Sequence, residues 1–236
     1  MSGMLKVINV SRKAGRIPMK TLNLYLVRHG QTYYNIFNKL QGWSNSPLTQ
    51  AGIDGAKEIG ERLADVNFAG AFCSDTGRAV STAQIILDLN QASTVKEPHQ
   101  APFFREEFYG YYEGMDMNQS WYLAAGPHGL KNIGEIVAKY SFDTAKDFLK
   151  EADPFGMAEN HEEYWQRVDQ GYELIANDPQ LQDGDNVLVI SHGNTLLSLM
   201  DRYAPGRYDL SERPANGSLT KLKLTDGKIE VVSYNE

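Results

Sequence analysis

Apolar residues in this chain fall into short dense runs separated by longer stretches of helical spacing. Residues 22–27, 69–73 and 187–190 are nearly unbroken in apolar or β-prone side chains, the pattern of strands covered on both faces. Residues 94–97 are a further short strand candidate. Between these runs the spacing becomes helical. Thr49 reads as the N-cap of a helix to about Ala64, with Ile53, Ala56, Ile59, Gly60 and Leu63 on one face. Ser74-Asp75-Thr76 caps a helix from about Gly77 to Leu89, and Asn160 caps another from about His161 to Asn177. A further helix runs from about Asn194 to Tyr203. The chain closes as a hairpin, 218–224 and 229–233, turning at Asp226-Gly227. The stretch from Gln31 to Pro47 reads as a polar loop.

Strands alternating with helices predict an α/β fold: a mostly parallel sheet with helices on both faces. Residues 111–158 carry a weaker pattern broken by glycines, with helical pieces at 119–123, 133–140 and 144–152. They read as a helical insertion over the carboxyl ends of the strands. Tyr111, Tyr112, Trp121, Tyr122 and Phe142 either line a pocket there or form the insertion's own core. Residues 1–20 read as a flexible N-terminal extension, since 4–10 is too polar for a signal peptide and the first strong strand follows Met19. That leaves 21–236 as a single domain.

With 236 residues, 42% apolar and 22% charged, the chain can build one such domain with its own core. No apolar run reaches the roughly 18 residues of a membrane span. A lone cysteine, Cys73, fits a reducing compartment and a cytoplasmic location. No Cys/His cluster has metal-ligand spacing. The net charge of -7 argues against a general nucleic-acid binder, and no membrane partner is expected. Its distribution is uneven: Lys6, Arg12, Lys13, Arg16, Lys20, Arg28 and Lys39 precede the first acid, Asp54, and leave the remainder at -14. A small basic region on an acidic body suits a small anion, although five of those charges sit in the extension.

Two segments echo each other. Leu26-Val27-Arg28-His29-Gly30 and Val189-Ile190-Ser191-His192-Gly193 are each an apolar strand ending in histidine and glycine. Ligands of open α/β sheets bind beyond the carboxyl ends of the strands, so both histidines should face one crevice, with glycine allowing close approach to a ligand. A third strand leads to Arg78 in the first turn of a helix. A cation there opposes the helix dipole and invites a bound anion as its reason.

The ordered set Arg28-His29-Gly30-Gln31-Thr32 with Asn35, Gln41-Gly42-Trp43, Pro47-Leu48-Thr49, Ser74-Asp75-Thr76-Gly77-Arg78-Ala79 with Thr82-Ala83, Glu106 four residues before Gly110, and Ser191-His192-Gly193 resembles the histidine phosphatase superfamily, also called the phosphoglycerate mutase-like family. The likeness runs from about Leu22 to Val232. It implies that His29 attacks phosphorus and becomes phosphorylated, that Arg28, Arg78, His192 and Asn35 hold the phosphoryl oxygens, and that Glu106 protonates the leaving oxygen and later deprotonates water. Thr32, Gln41, Gly42, Gly193 and Asn194 complete the expected substrate-binding set. No cofactor or metal is called for.

The chemistry agrees. A neutral imidazole has a lone pair ready at pH 7, and phosphoryl transfer otherwise needs positioning and charge. A carboxyl group gives up a proton near neutrality only where burial or a like charge favours its neutral form. Glu107 and the aromatic Phe108 and Tyr109 offer both around Glu106, and Glu107 is the alternative acid. His99, His128 and His161 read as surface or capping groups; Trp43 and Tyr109 either line the mouth or pack. The expected activity is that of a metal-independent phosphoric monoester hydrolase of the histidine acid phosphatase type, with a small phosphorylated substrate. A 2,3-bisphosphoglycerate-dependent mutase and a non-catalytic phosphate-binding module are the alternatives. Residues 111–158 hold Lys131, Lys139, Lys146 and Lys150 against seven acids and no arginine, which disfavours a clamp for a second phosphate and hence the mutase.

Overall fold

The computed structural model describes residues 20–236; the expected extension, apart from Lys20, lies outside the described residues. Six strands form one mixed sheet: β1 (Thr21–Arg28), β2 (Phe68–Cys73), β3 (His99–Gln100), β4 (Asn186–Ser191), β5 (Leu219–Thr225) and β6 (Lys228–Ser233), in the order β3-β2-β4-β1-β5-β6. The β3-β2, β2-β4 and β4-β1 pairs are parallel. The closing hairpin then adds β5 and β6 antiparallel beside β1.

The near-continuous apolar runs have a direct cause, since both faces of the central strands are covered. Leu22, Leu24 and Leu26 of β1, with Val187 and Val189 of β4, face α7 (His161–Ala176) and α8 (Gly193–Tyr203). Val27, Leu188 and Ile190 face the other way, onto α2 (Gln50–Arg62) and α3 (Gly77–Leu89). The caps form as expected at α2 and α7, where Thr49 accepts from Gly52 N and Asn160 accepts from Glu163 N.

Two expectations need correction. Residues 94–97 form no strand; the pairing comes later, at β3, because Pro98 has no N–H to give a ladder. Asn90 and Ser93 instead tie that segment to Leu63 and Val66, before β2 begins. The loop after His29 also contains one helical turn, α1 (Tyr33–Ile36), set by a reciprocal cap between Thr32 and Asn35.

The expected helical pieces of residues 111–158 are α4 (Met117–Ala125), α5 (Ile133–Lys139) and α6 (Phe142–Ala152). Tyr112 and Trp121 pack with Ile136, Ala145 and Leu149 in a separate core that also takes Leu40 and Tyr109. Those two aromatics, with buried Phe142, therefore serve packing, whereas Tyr111 and Tyr122 are exposed. No described helix is long and apolar enough to cross a membrane.

Candidate active site

Arg28 pairs with Ser191 and Cys73 with Ile190, so β1, β2 and β4 end side by side. His29 and His192 follow directly, and their ring centroids lie 5.2 Å apart. The crevice at this end is lined by Arg28, His29, Asn35, Lys39, Leu40, Gln41, Glu106, Tyr109, Gly193, Asn194 and Arg213.

His29 is 3% exposed, and its Nδ1 lies 2.8 Å from Gly30 O. That contact assigns the proton to Nδ1 and the lone pair to Nε2. Burial, then the charges of Arg78 and Arg28, hold its proton affinity well below the usual value, so the ring is neutral. Arg28 is anchored by Nη1 on Pro214 O. Arg78 is 1% exposed; its Nη1 donates to Ser44 O (2.8 Å) and its Nη2 to Gly42 O (2.7 Å). Burial draws both guanidiniums down only to about 10, so both are cationic at neutral pH. Each Nε is buried without a hydrogen-bond partner among the described residues, as is Gln41 Nε2. Arg28 and Gln41 line the crevice, whereas Arg78 and His192, in contact with each other, are not among its lining residues. Buried donors normally find partners, so the orphans at Arg28 and Gln41 fit an anionic group with several oxygens.

The structure brings most of the expected residues together, yet several sit there for other reasons. Thr32 does not line the crevice; its hydroxyl donates to Gln41 Oε1 (2.7 Å) and thereby turns Gln41 Nε2 free. Gly42 is equally a scaffold position: a Cβ there would stand 2.0 Å from Glu107 O. Gly30 makes its close approach to α2, where a Cβ would lie 2.4 Å from Gly52 O, and not to a ligand. Asn194 spends its donors on two carboxylates, its N–H on Glu106 Oε2 (2.7 Å) and its Nδ2 on Glu107 Oε2. Asn35 accepts at Oδ1 from Thr32 N (3.0 Å), which leaves its amide nitrogen to the crevice.

The resemblance gives His192 a phosphoryl oxygen to hold. Here its Nδ1 faces Arg78 Nη2 at 3.3 Å and its Nε2 faces Ser74 Oγ at 3.1 Å. Burial, Arg78 and His29 keep it neutral. A linked effect on stability follows. In the unfolded chain both imidazoles take up protons below the usual value near 6.5, whereas in the folded chain they do not. Their stabilising contribution is therefore present above that pH and is lost as pH falls. The melting temperature should drop between about pH 7 and about pH 5, and His192→Asn should flatten that drop. An unchanged pH slope in the variant would contradict a neutral buried His192.

Glu106 is 4% exposed and stands at the start of α8, accepting from Asn194 N, Thr195 Oγ1 (2.7 Å) and Glu107 N (3.0 Å). Glu107 is turned away from the crevice. Its carboxylate meets Asn194 and, at 4.0 Å, Lys146 of α6, and burial pushes its proton affinity up. Trp43 stacks on Phe108 and donates to Glu106 O (3.2 Å), so it braces the Glu106 backbone. Arg167 of α7 donates to the same carbonyl (3.0 Å) while pairing with Glu159. His99, His128 and His161 lie elsewhere, the last paired with Asp147 at 2.8 Å. No cluster of metal-ligating side chains occurs among the described residues.

Sequence reasoning passed over three residues. Glu113 accepts from the backbone N–H groups of Gly42, Trp43, Ser44 and Tyr109, and so fixes the loop that carries Arg78's partners. Asn216 donates to His29 O (2.8 Å). Arg213 lines the crevice itself. The only sequence signal for the last two was a polar loop just before the closing hairpin.

The family model described as histidine phosphatase superfamily (branch 1) matches residues 24–236. The chain belongs to that superfamily. The 2,3-bisphosphoglycerate-dependent phosphoglycerate mutase 2 of Gloeobacter violaceus is 32% identical over 180 residues, 75% of this chain and 73% of its own. A solved phosphoglycerate mutase from Bacillus anthracis str. Sterne superposes with a TM-score of 0.84 at 30% identity, covering 92% of this chain and 94% of its own. Fructose-2,6-bisphosphatase TIGAR B of Danio rerio is 40% identical over 97 residues, 41% of this chain and 38% of its own. Members of this superfamily thus carry both mutase and phosphatase names.

Proposed function

We propose that this histidine phosphatase superfamily member hydrolyses a small phosphomonoester through a phosphohistidine on His29. The observation that carries the reading is a neutral imidazole with Nε2 free, lining a crevice with Arg28 and under the charges of two buried guanidiniums, Arg78 and Arg28. Nε2 attacks phosphorus, the N–P bond forms and the P–O ester bond breaks, and Glu106 gives the leaving oxygen its proton. Water then attacks the same phosphorus, Glu106 takes its proton back, and the N–P bond breaks. Arg28, Arg78, Asn35 and Gln41 hold the equatorial oxygens, where positioning and charge are what the transition state needs.

Mutase activity is the second reading, favoured by the names of the similar proteins. Hydrolysis is favoured by where the insertion's lysines lie. None of residues 111–158 lines the crevice: Lys146 is buried beside Glu107, Lys150 pairs with Glu163, and Lys139 lies over Tyr140.

A panel of phosphomonoesters, assayed with a strong chelator and no added metal, should release phosphate. Acid-labile, base-stable phosphoryl label should be found on His29 after quenching. Loss of activity on chelation, restored by a divalent ion, would overturn the mechanism. With 3-phosphoglycerate and catalytic bisphosphoglycerate, rapid isomerisation with little phosphate release would replace hydrolysis by the mutase reading.

A further inference from the structure

Lys146 of α6 is the insertion's one lysine taken wholly out of water. It is 0% exposed, whereas Lys131 and Lys139 are exposed and Lys150 is half-buried. Its side chain leaves the insertion and reaches α7 and α8. The Nζ donates to Ser198 Oγ of α8 (2.8 Å) and to Phe142 O of its own helix (3.3 Å). It lies 4.6 Å from the centre of the Tyr164 ring of α7 and 4.0 Å from Glu107 Oε2. Neither Lys146 nor Glu107 lines the crevice. Lysine and glutamate are almost never fully buried unless paired, and well-packed apolar residues in place of such a pair are often as stable or more so. Holding the insertion against α7 and α8 therefore does not call for a cation.

What the pair touches is the proposed acid. Glu107 follows Glu106 directly, and its N–H donates to Glu106 Oε1 at 3.0 Å. The Glu107 carboxylate accepts from Asn194 Nδ2, and Asn194 N–H donates to Glu106 Oε2 at 2.7 Å. Two of the donors that grip Glu106 thus belong to Glu107 itself and to its partner; the other is Thr195 Oγ1. The arrangement needs Glu107 as an acceptor. Burial favours the neutral form of Glu107, and the Lys146 ammonium is the largest influence the other way. A protonated Glu107 would carry a donor in need of an acceptor. Asn194 Oδ1 is buried with no partner among the described residues, so turning that amide over would supply one, and Nδ2 would leave its place.

We propose that Lys146 is a positioning residue of the acid: its ammonium, set against the Glu107 carboxylate, orients Asn194 and thereby fixes where Glu106 stands at the start of α8. This rests on the phosphatase reading above. It gives the insertion a part in the chemistry without any contact to substrate.

The test compares kcat/KM, which reports the steps up to the breaking of the ester bond, on an alkyl phosphate and on nitrophenyl phosphate. Removing a general acid costs about 10²- to 10⁴-fold, so misplacing one should cost about tenfold where the leaving group needs a proton. In Lys146→Met the alkyl value should fall by about that factor and the nitrophenyl value by less than about threefold. Inhibition by inorganic phosphate should not change, because Lys146 lies outside the crevice. Lys146→Met/Glu107→Gln should regain the parental alkyl-to-aryl ratio, at the level of Glu107→Gln alone, since a neutral amide accepts from Asn194 with no cation beside it. Ser198→Ala, which takes a hydrogen bond from the ammonium and leaves its charge, should keep the parental ratio. Equal loss on both substrates in Lys146→Met, or a double variant no better than Lys146→Met, would make Lys146 a structural pin and overturn the proposal while leaving hydrolysis intact. If Lys146→Met does not fold, the double variant against Glu107→Gln carries the test. Equal values on both substrates would support the proposal, and a further fall on removing Lys146 would overturn it. A parent protein that releases phosphate from neither ester would instead remove the phosphatase reading, and the role of Lys146 with it.

Discussion

Replacing His29 by alanine is expected to lower turnover by about 10⁴-fold or more, the scale on which covalent catalysts fail when the nucleophile is removed. The remaining groups still bind a phosphate ester, but nothing within reach replaces the lone pair. His192 stands 5.2 Å away, ring to ring, with its own nitrogens facing Arg78 and Ser74. Glu106 has both oxygens engaged by α8. The fold should survive, because the imidazole's hydrogen bond closes on its own neighbour, Gly30, and joins no distant elements. A buried neutral ring at the wall of a crevice leaves a gap that solvent can fill, so the change in stability should stay within about 1–2 kcal/mol. Circular dichroism and a melting curve check the fold; phosphate release and phosphoryl label on the quenched protein check the chemistry. Near-parental turnover by a folded His29→Ala protein, or label retained elsewhere on it, would remove the phosphohistidine from the mechanism.

The same residues show why some of this site was legible in sequence and some was not. His29 and His192 were readable because each ends a buried parallel strand, and a strand end fixes where the next residue goes. Arg78 was readable because a helix N-terminus is a poor place for a cation with no anion to bind. Thr32, Gly42 and Asn194 were expected to bind substrate, and sequence alone could not tell that task from the scaffold contacts they make here. Whether Asn194 donates to a substrate or to Glu106 and Glu107 depends on side-chain directions across 87 residues or more of chain. Arg213 and Asn216 carry no periodic or capping pattern at all. Their position comes from a tertiary contact, Arg28 on Pro214 O, that links residues 186 apart. The fold itself followed from periodicity, except where a proline displaced a strand and where a four-residue helix was too short to show an apolar face.

Glu106→Gln should separate proton transfer from phosphoryl transfer. The amide nearly matches the carboxyl in shape, but it cannot pass a proton to a leaving alkoxide. Loss of a general acid typically costs about 10²- to 10⁴-fold, and that cost should fall on alkyl phosphates. A nitrophenyl phosphate leaves as a stabilised phenolate, so its first step should slow much less. The second step still needs a base for water, which Gln lacks. The variant should therefore give a burst of nitrophenolate close to one per site, then slow turnover, with phosphohistidine accumulating. The substitution also has a structural cost, since Asn194 N, Thr195 Oγ1 and Glu107 N all donate to this carboxylate and an amide nitrogen would face one of them donor to donor. A purely structural defect would slow alkyl and aryl substrates alike and trap no phosphoenzyme. That outcome would shift the role of acid to Glu107, the other buried carboxylate here. Glu107 is badly aimed for it, being 0% exposed with its carboxylate on Asn194 and beside Lys146. Glu107→Gln should accordingly lower the rate on alkyl and aryl phosphates by the same modest factor, through the position of Asn194, and produce no burst.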